Sequence, residues 1–274
     1  MGVCMDFEPQ ISVKTADTQS YVAAQSGTLD DHRVTRTDSA RRSLAPAPEP
    51  ARSCWQFGQL LNREPMKLYT HPLSSNARRV SLVAHQLGLQ LEEELVDLAK
   101  GAQRTPEYLA LNPMGKVPTL VDGDLQLTES YAIMIYLCEK TGRRELYPDE
   151  LATRTEINRW LFWGANEWSP TIGRLNFENM LKPMLGLGAP DPARVQEAEN
   201  TFKQLAGVLD AKLQTRPFVA GKQLSLADFA VAASLATAVP AKLPLSGFTR
   251  VQAWQSGIEQ LPAWKATTPA PPKR

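Results

Sequence analysis

The chain has 274 residues, of which 43% are hydrophobic, and a formal net charge of +1. That length can hold two domains with real cores, and the near-neutral balance argues against nucleic acid or a membrane surface as an electrostatic partner. No apolar run reaches the roughly 18 residues of a membrane span. Cys4, Cys54 and Cys138 show neither CxxC nor metal-ligand spacing, so a reducing cytoplasm fits better than a disulfide-stapled secreted protein.

Residues 1–65 are polar, rich in Ser, Thr, Asp and Arg, and carry a Pro-rich run from Ala45 to Pro50. They lack a lasting apolar period and cannot bury enough area to offset their ordering entropy, so they read as a disordered extension. Trp55, Phe57, Leu60 and Leu61 offer at most one docking turn. Residues 66–70 then read as a short strand. Ser74, Ser75 and Asn76 bring N-cap chemistry. Val80, Val83, Ala84 and Leu87 follow at helical spacing, and Gly88 stops the helix. A second strand is expected over 91–98 and one or two helical turns over 106–111.

The stretch 112–130 is the most informative. Thr119, Leu120 and Val121 form a short apolar strand. Asp122-Gly123 signals a hairpin of the type I′ class, which needs positive φ, and Leu125 and Leu127 alternate with polar residues. Ser130 is expected to cap a helix over 131–140, with Gly142 just past its end. Pro118 stands directly before a strand, where it cannot donate a ladder hydrogen bond. It either opens an edge strand in trans or sits in a tight turn as a cis peptide. From residue 151 the strand signals cease. Ile157, Leu161, Ala165 and Trp168 continue a helical stripe that Pro183 limits. Residues 185–190 form a loop, and Asp191 caps a helix with Pro192 at its first position and Val195, Ala198, Phe202, Leu205 and Leu209 on its buried face; Arg216-Pro217 ends it. Ser225 and Asp228 have capping-box spacing, flanked by Leu224 and Phe229 as a hydrophobic staple. A last helix is expected over 251–261, before a Pro-rich tail.

The run Gly115-Lys116-Val117-Pro118-Thr119-Leu120, followed by Glu129-Ser130 and an apolar helix, resembles the glutathione-binding half of a cytosolic glutathione S-transferase, of the serine-type, bacterial-like kind. The likeness runs from Met66 to about Lys265. It implies an α/β plus all-α protein: a thioredoxin-like domain at 66–145, an all-helical domain at 151–265 and a tail at 266–274. It also implies a cis Val117-Pro118 bond, glutathione as co-substrate, a small electrophilic or disulfide substrate, and a cytoplasmic homodimer.

On that resemblance, Val117 pairs its backbone with the cysteinyl unit of glutathione, Lys116 meets the glycine carboxylate, and Glu129 and Ser130 hold the γ-glutamyl end. Ser74, four residues before Arg78, takes the role of the thiol-activating hydroxyl, with Ser75 as its rival. A hydroxyl donor and a helix N-terminus both favour thiolate over thiol. Ser74 and Asn76 also reproduce the spacing of relatives that reduce disulfides with glutathione. Without the resemblance, Ser74 and Ser130 read as helix caps, and Lys116, Asn76 and Glu129 as solvated surface. The absence of cysteine between Leu73 and Arg79 excludes a glutaredoxin-like mechanism there. Trp160, Phe162, Trp163 and Trp168 crowd one helix, mostly as core, with one or two available to line an apolar pocket. His71 reads as packing at the strand end, and Cys138 as inert packing. Three activities therefore stand side by side: thiolate conjugation to an electrophile, glutathione-dependent disulfide reduction, and a non-catalytic binding or regulatory protein of the same fold.

Overall fold

The computed structural model describes residues 65–269. The extension expected over 1–65, apart from Pro65, and the last residues of the tail lie outside the described residues. The first half runs β1 (Lys67–Thr70), α1 (Ser75–Gln86), β2 (Glu92–Leu95), α2 (Pro106–Leu111), β3 (Thr119–Asp122), β4 (Leu125–Leu127) and α3 (Ser130–Thr141). The four strands lie in the order β2-β1-β3-β4. β2 is parallel to β1, and the two remaining pairings are antiparallel.

Alternation along β1 sorts the two faces of this sheet. Leu68 is fully buried against α1 and α3 in the main core, which also holds Val80, Val83, Leu120, Ile133 and Leu137. Tyr69 points to the opposite face, where it meets the edge of Tyr108 beside Val96 and Val117. β2 is shorter than expected because its chain turns away at Asp97. The Asp97 carboxylate accepts from Lys100 N at 3.1 Å, and its carbonyl accepts from Ala102 N at 3.0 Å. The edge strand itself is Glu92-Glu93-Glu94-Leu95, exposed along its whole length. Lys67 of β1 bridges Glu92 and Glu94, and Glu93 accepts from Ser81. The hairpin turn is Gly123-Asp124 rather than Asp122-Gly123, with Asp122 still paired to Leu125. Gly123 has a φ of +59° and Asp124 does not share it, the pattern of a type II′ turn rather than I′.

The second half is helical. α4 (Leu151–Trp163), α5 (Ser169–Asn176) and α6 (Lys182–Met184) form one continuous rod, interrupted by π-helical turns at Gly164–Trp168 and Phe177–Leu181. α7 (Pro192–Leu213) starts at Asp191, whose carboxylate accepts from Ala193 N and Arg194 N. α8 (Leu226–Leu235) is buried at every position and packs on α1, α3 and α4. α9 (Thr249–Glu259) and α10 (Pro262–Ala266) close the chain in place of the single helix expected, because Leu261 is held extended ahead of Pro262. The Ser225–Asp228 capping box is formed as its spacing predicts.

Candidate functional site

Strand pairing draws three segments to one end of the sheet. Tyr69 pairs with Thr119, which sets the loop after β1 beside the approach to β3. Leu120 pairs with Leu127, which brings the end of β4 and the start of α3 to the same edge. Ser74, Val117-Pro118 and Glu129-Ser130 all belong to these segments.

Ser74 is the N-cap of α1. Its Oγ accepts from Ala77 N at 3.2 Å, and no described residue accepts its hydroxyl proton. The preceding loop is tied by Ser74 N to the His71 carbonyl and by Leu73 N to His71 Nδ1. His71 therefore shapes the loop; burial, opposed by the more distant Asp97, draws its pKa below the ordinary value. Ser75 is the first helical residue and is half-buried; Asn76 is exposed in the first turn. Arg78 does not face this end. Its guanidinium lies 4.1 Å from the Trp264 ring centroid and donates to the Trp264 carbonyl and Thr268 Oγ1. A cavity of about 340 Å³ opens on that side, lined by polar groups including His71, Arg78, Ser81 and His85.

The Val117-Pro118 peptide is cis. Val117 lies ahead of β3, and its backbone has no hydrogen-bond partner among the described residues. The approach to it is fixed by residues that sequence reasoning did not single out. Tyr108 Oη and Asn112 Nδ2 each donate to the Lys116 carbonyl at 2.7 Å, and both also reach Thr119 Oγ1. Gly115 has a φ of +59°, and a Cβ there would stand 2.9 Å from the Gln103 carbonyl, so only glycine fits. This leaves Lys116 exposed at the side chain while its carbonyl is locked inward.

Ser130 is the first residue of α3 rather than its cap. The N-cap position falls to Glu129, which makes no side-chain cap and holds φ +64°, ψ 106°, a strained conformation for a residue with a Cβ. Glu129 is exposed, whereas Ser130 is 5% exposed. From its place inside the first turn, Ser130 accepts at its Oγ from Arg79 Nη1, which lies behind it, at 3.3 Å. Two helix N-termini, α1 and α3, and one buried guanidinium thus bias this end of the sheet towards anions. Arg79 carries no signal in the local sequence; its partners Ser130, Ser169 and Ser234 are gathered only by the fold.

The aromatic cluster is largely core. Trp160 and Trp168 are fully buried, Trp168 stacks between Trp163 and Phe202, and only Phe162 is widely exposed. Cys138 is buried, and burial pushes its thiol up to about 12, which makes it inert at neutral pH.

This arrangement has clear relatives. Residues 64–139 match the glutathione S-transferase N-terminal domain and residues 177–262 the glutathione S-transferase C-terminal domain. Glutathione S-transferase 3 of Zea mays is 37% identical over 214 residues, spanning 76% of this chain and 95% of that protein. Human glutathione S-transferase theta-2B is 35% identical over 197 residues, spanning 71% and 80%. Among solved structures, maize glutathione S-transferase I in complex with an atrazine glutathione conjugate superposes with a TM-score of 0.69 at 32% identity, covering 75% of this chain and 97% of that one. The chain belongs to the glutathione S-transferase family of enzymes.

Proposed function

We propose that this enzyme seats glutathione across the converging end of the sheet and uses Ser74 to hold its sulfur as a thiolate. The γ-glutamyl carboxylate meets the N-terminus of α3 and Ser130, and the ammonium meets Glu129. The cysteinyl backbone pairs with Val117 beside cis Pro118, and the glycine carboxylate meets Lys116. The thiolate sulfur then attacks an electrophilic carbon; a C–S bond forms, the leaving group departs with its electron pair, and the thiol proton passes to solvent.

The observation that carries this reading is the state of the Ser74 hydroxyl. Its oxygen already accepts from Ala77 N, so its own proton is free to be donated outward, at the positive end of α1. A free thiol near pKa ~8.5 needs such help to ionise at neutral pH. Conjugation is favoured over disulfide reduction because Asn76, on which the second reaction would draw, is exposed and has no hydrogen-bond partner among the described residues. The domain limits 66–145 and 151–265, a homodimeric assembly and a cytoplasmic location belong to the same proposal.

The test is to titrate the thiolate absorbance of bound glutathione and to follow turnover on a panel of electrophile and disulfide substrates. Ser74→Ala is expected to raise the bound thiol pKa and to lower kcat at neutral pH by about 10²–10³-fold, the cost of one preorganised donor, while glutathione affinity stays nearly intact. The same effect from Ser75→Ala instead would move the role by one residue.

A further inference from the structure

Arg79 is 0% exposed, yet it forms no ion pair with any described carboxylate. Its guanidinium lies 4.3 Å from the Tyr131 ring centroid. Nη1 donates to Ser130 Oγ at 3.3 Å, and Nη2 donates to Ser169 Oγ at 3.0 Å and Ser234 Oγ at 3.1 Å. Nε has no partner. The serines are themselves linked, Ser169 Oγ lying 3.0 Å from both Tyr131 Oη and Ser234 Oγ. Gly164 leaves room for the Tyr131 hydroxyl, because a Cβ there would stand 3.0 Å from it.

A buried cation that faces, among the described residues, only neutral hydroxyls and the Tyr131 ring is costly. Burial works against its charge, but a guanidinium stays protonated in proteins. An apolar side chain would fill the same space without that cost, so the charge calls for an anion that the described chain does not supply. Of the three serines that the guanidinium meets, Ser130 is the one at the N-terminus of α3, at the anion-favouring end of the sheet.

We infer that Arg79 is a positioning residue for the α-carboxylate of the glutathione γ-glutamyl group: from behind it fixes the Ser130 hydroxyl and supplies the positive charge that the carboxylate meets. The inference rests on the glutathione reading of the site. Among the described residues the cation is held by hydroxyl dipoles and the Tyr131 ring. In the presence of ligand the carboxylate, screened from water by Ser130 and α3, completes an ion pair across one serine, in surroundings where the attraction far exceeds that in water. The contacts to Ser169 and Ser234 would by themselves make Arg79 only a pin between the two halves of the protein, and the experiment separates the two roles.

Calorimetry would compare two ligands, glutathione and 4-aminobutyryl-cysteinyl-glycine, which differs only by lacking the α-carboxylate. Wild type is expected to prefer glutathione. Arg79→Met should weaken glutathione by about tenfold or more, the scale of hydrogen bonds to charged groups, and leave the truncated ligand within about twofold, so that the preference collapses. Arg79→Lys, which keeps the charge, should retain part of the preference. In turnover, Arg79→Met should raise KM for glutathione more than it lowers kcat. An equal loss for both ligands, or no loss for either, overturns the inference and leaves Arg79 as a pin. Should Arg79→Met fail to fold, Arg79→Lys decides alone: a selective weakening of glutathione supports the role, and parallel weakening of both ligands refutes it. A wild type that binds both ligands equally overturns the γ-glutamyl assignment itself, whatever the variants do.

Discussion

Asp228, in the first turn of α8, and Arg79, in the second turn of α1, are both fully buried, but their surroundings differ. The Asp228 carboxylate accepts from Val219 N at 2.9 Å, Trp254 Nε1 at 3.0 Å, and Ser225 N and Oγ at 2.9 and 3.0 Å. Burial pushes its pKa up to about 6 against those donors, and all of them come from the helical half. Arg79 lies where the two halves meet, faces hydroxyls and keeps one N–H idle. A buried charge satisfied by its own fold serves the fold. One left incomplete beside a helix N-terminus serves something that arrives.

The widest test of this contrast is Asp228→Ala. It would strand three buried N–H donors, each costing about 1–3 kcal/mol when unpaired, and we expect a loss of roughly 3–5 kcal/mol in denaturant unfolding. Stability within about 1 kcal/mol of wild type would break the comparison. Arg79→Met should behave oppositely. No partner charge is left behind, and replacing a buried ionic group by an apolar one is often neutral or stabilising, so a change of about 1 kcal/mol or less is expected in the same unfolding measurement. A loss as large as that of Asp228→Ala would put both residues in one structural class.

The smallest effect belongs to a more exposed ion group. Arg159, Arg216 and Trp160 hold the Glu156 carboxylate at about 2, with the hydrogen bond from Arg159 the largest cause. Because the folded pKa is depressed, the stabilisation is present above the ordinary value of 4.5 and is lost as the pH falls towards 2. With its side chain 25% exposed, Glu156→Gln should cost only about 0.5 kcal/mol at neutral pH after solvent screening. That gap should close in melts run from neutral to acidic pH. A gap that persists at acid pH would assign it to geometry rather than charge.

What the sequence made legible was local. Ser225 and Asp228 stand three apart, the spacing of a capping box, and the box is formed. The strand–helix–strand order, the cap at Ser74 and the short helix after Thr105 are signalled by neighbouring residues in the same way. Ser130 misled because it is the first residue of α3 rather than the residue before it, and its hydroxyl meets a guanidinium 51 positions earlier instead of the helix N–H groups. Arg79 itself was invisible: its other two partners lie 90 and 155 positions away. Ser169 follows a π-helical turn that no period announces. Tyr108 and Asn112 were passed over for a similar reason, since their hold on the Lys116 carbonyl depends on the turn at Gly115. The aromatics of that helix read as one crowd, and only packing separated buried Trp160 and Trp168 from exposed Phe162.

The outer strand of the sheet has a consequence for how copies of this protein meet at high concentration. An edge strand offers a row of free backbone donors and acceptors, which is a template for adding another strand. Here that row carries three successive glutamates. Two molecules approaching edge to edge would bring those carboxylates to strand-pairing distance, about 5 Å, where like charges repel before backbone bonds can form. Lys67 draws Glu92 and Glu94 inward but does not cancel all three. The sheet therefore ends in a charged hem, and growth of a polymer by strand addition is opposed at its first step.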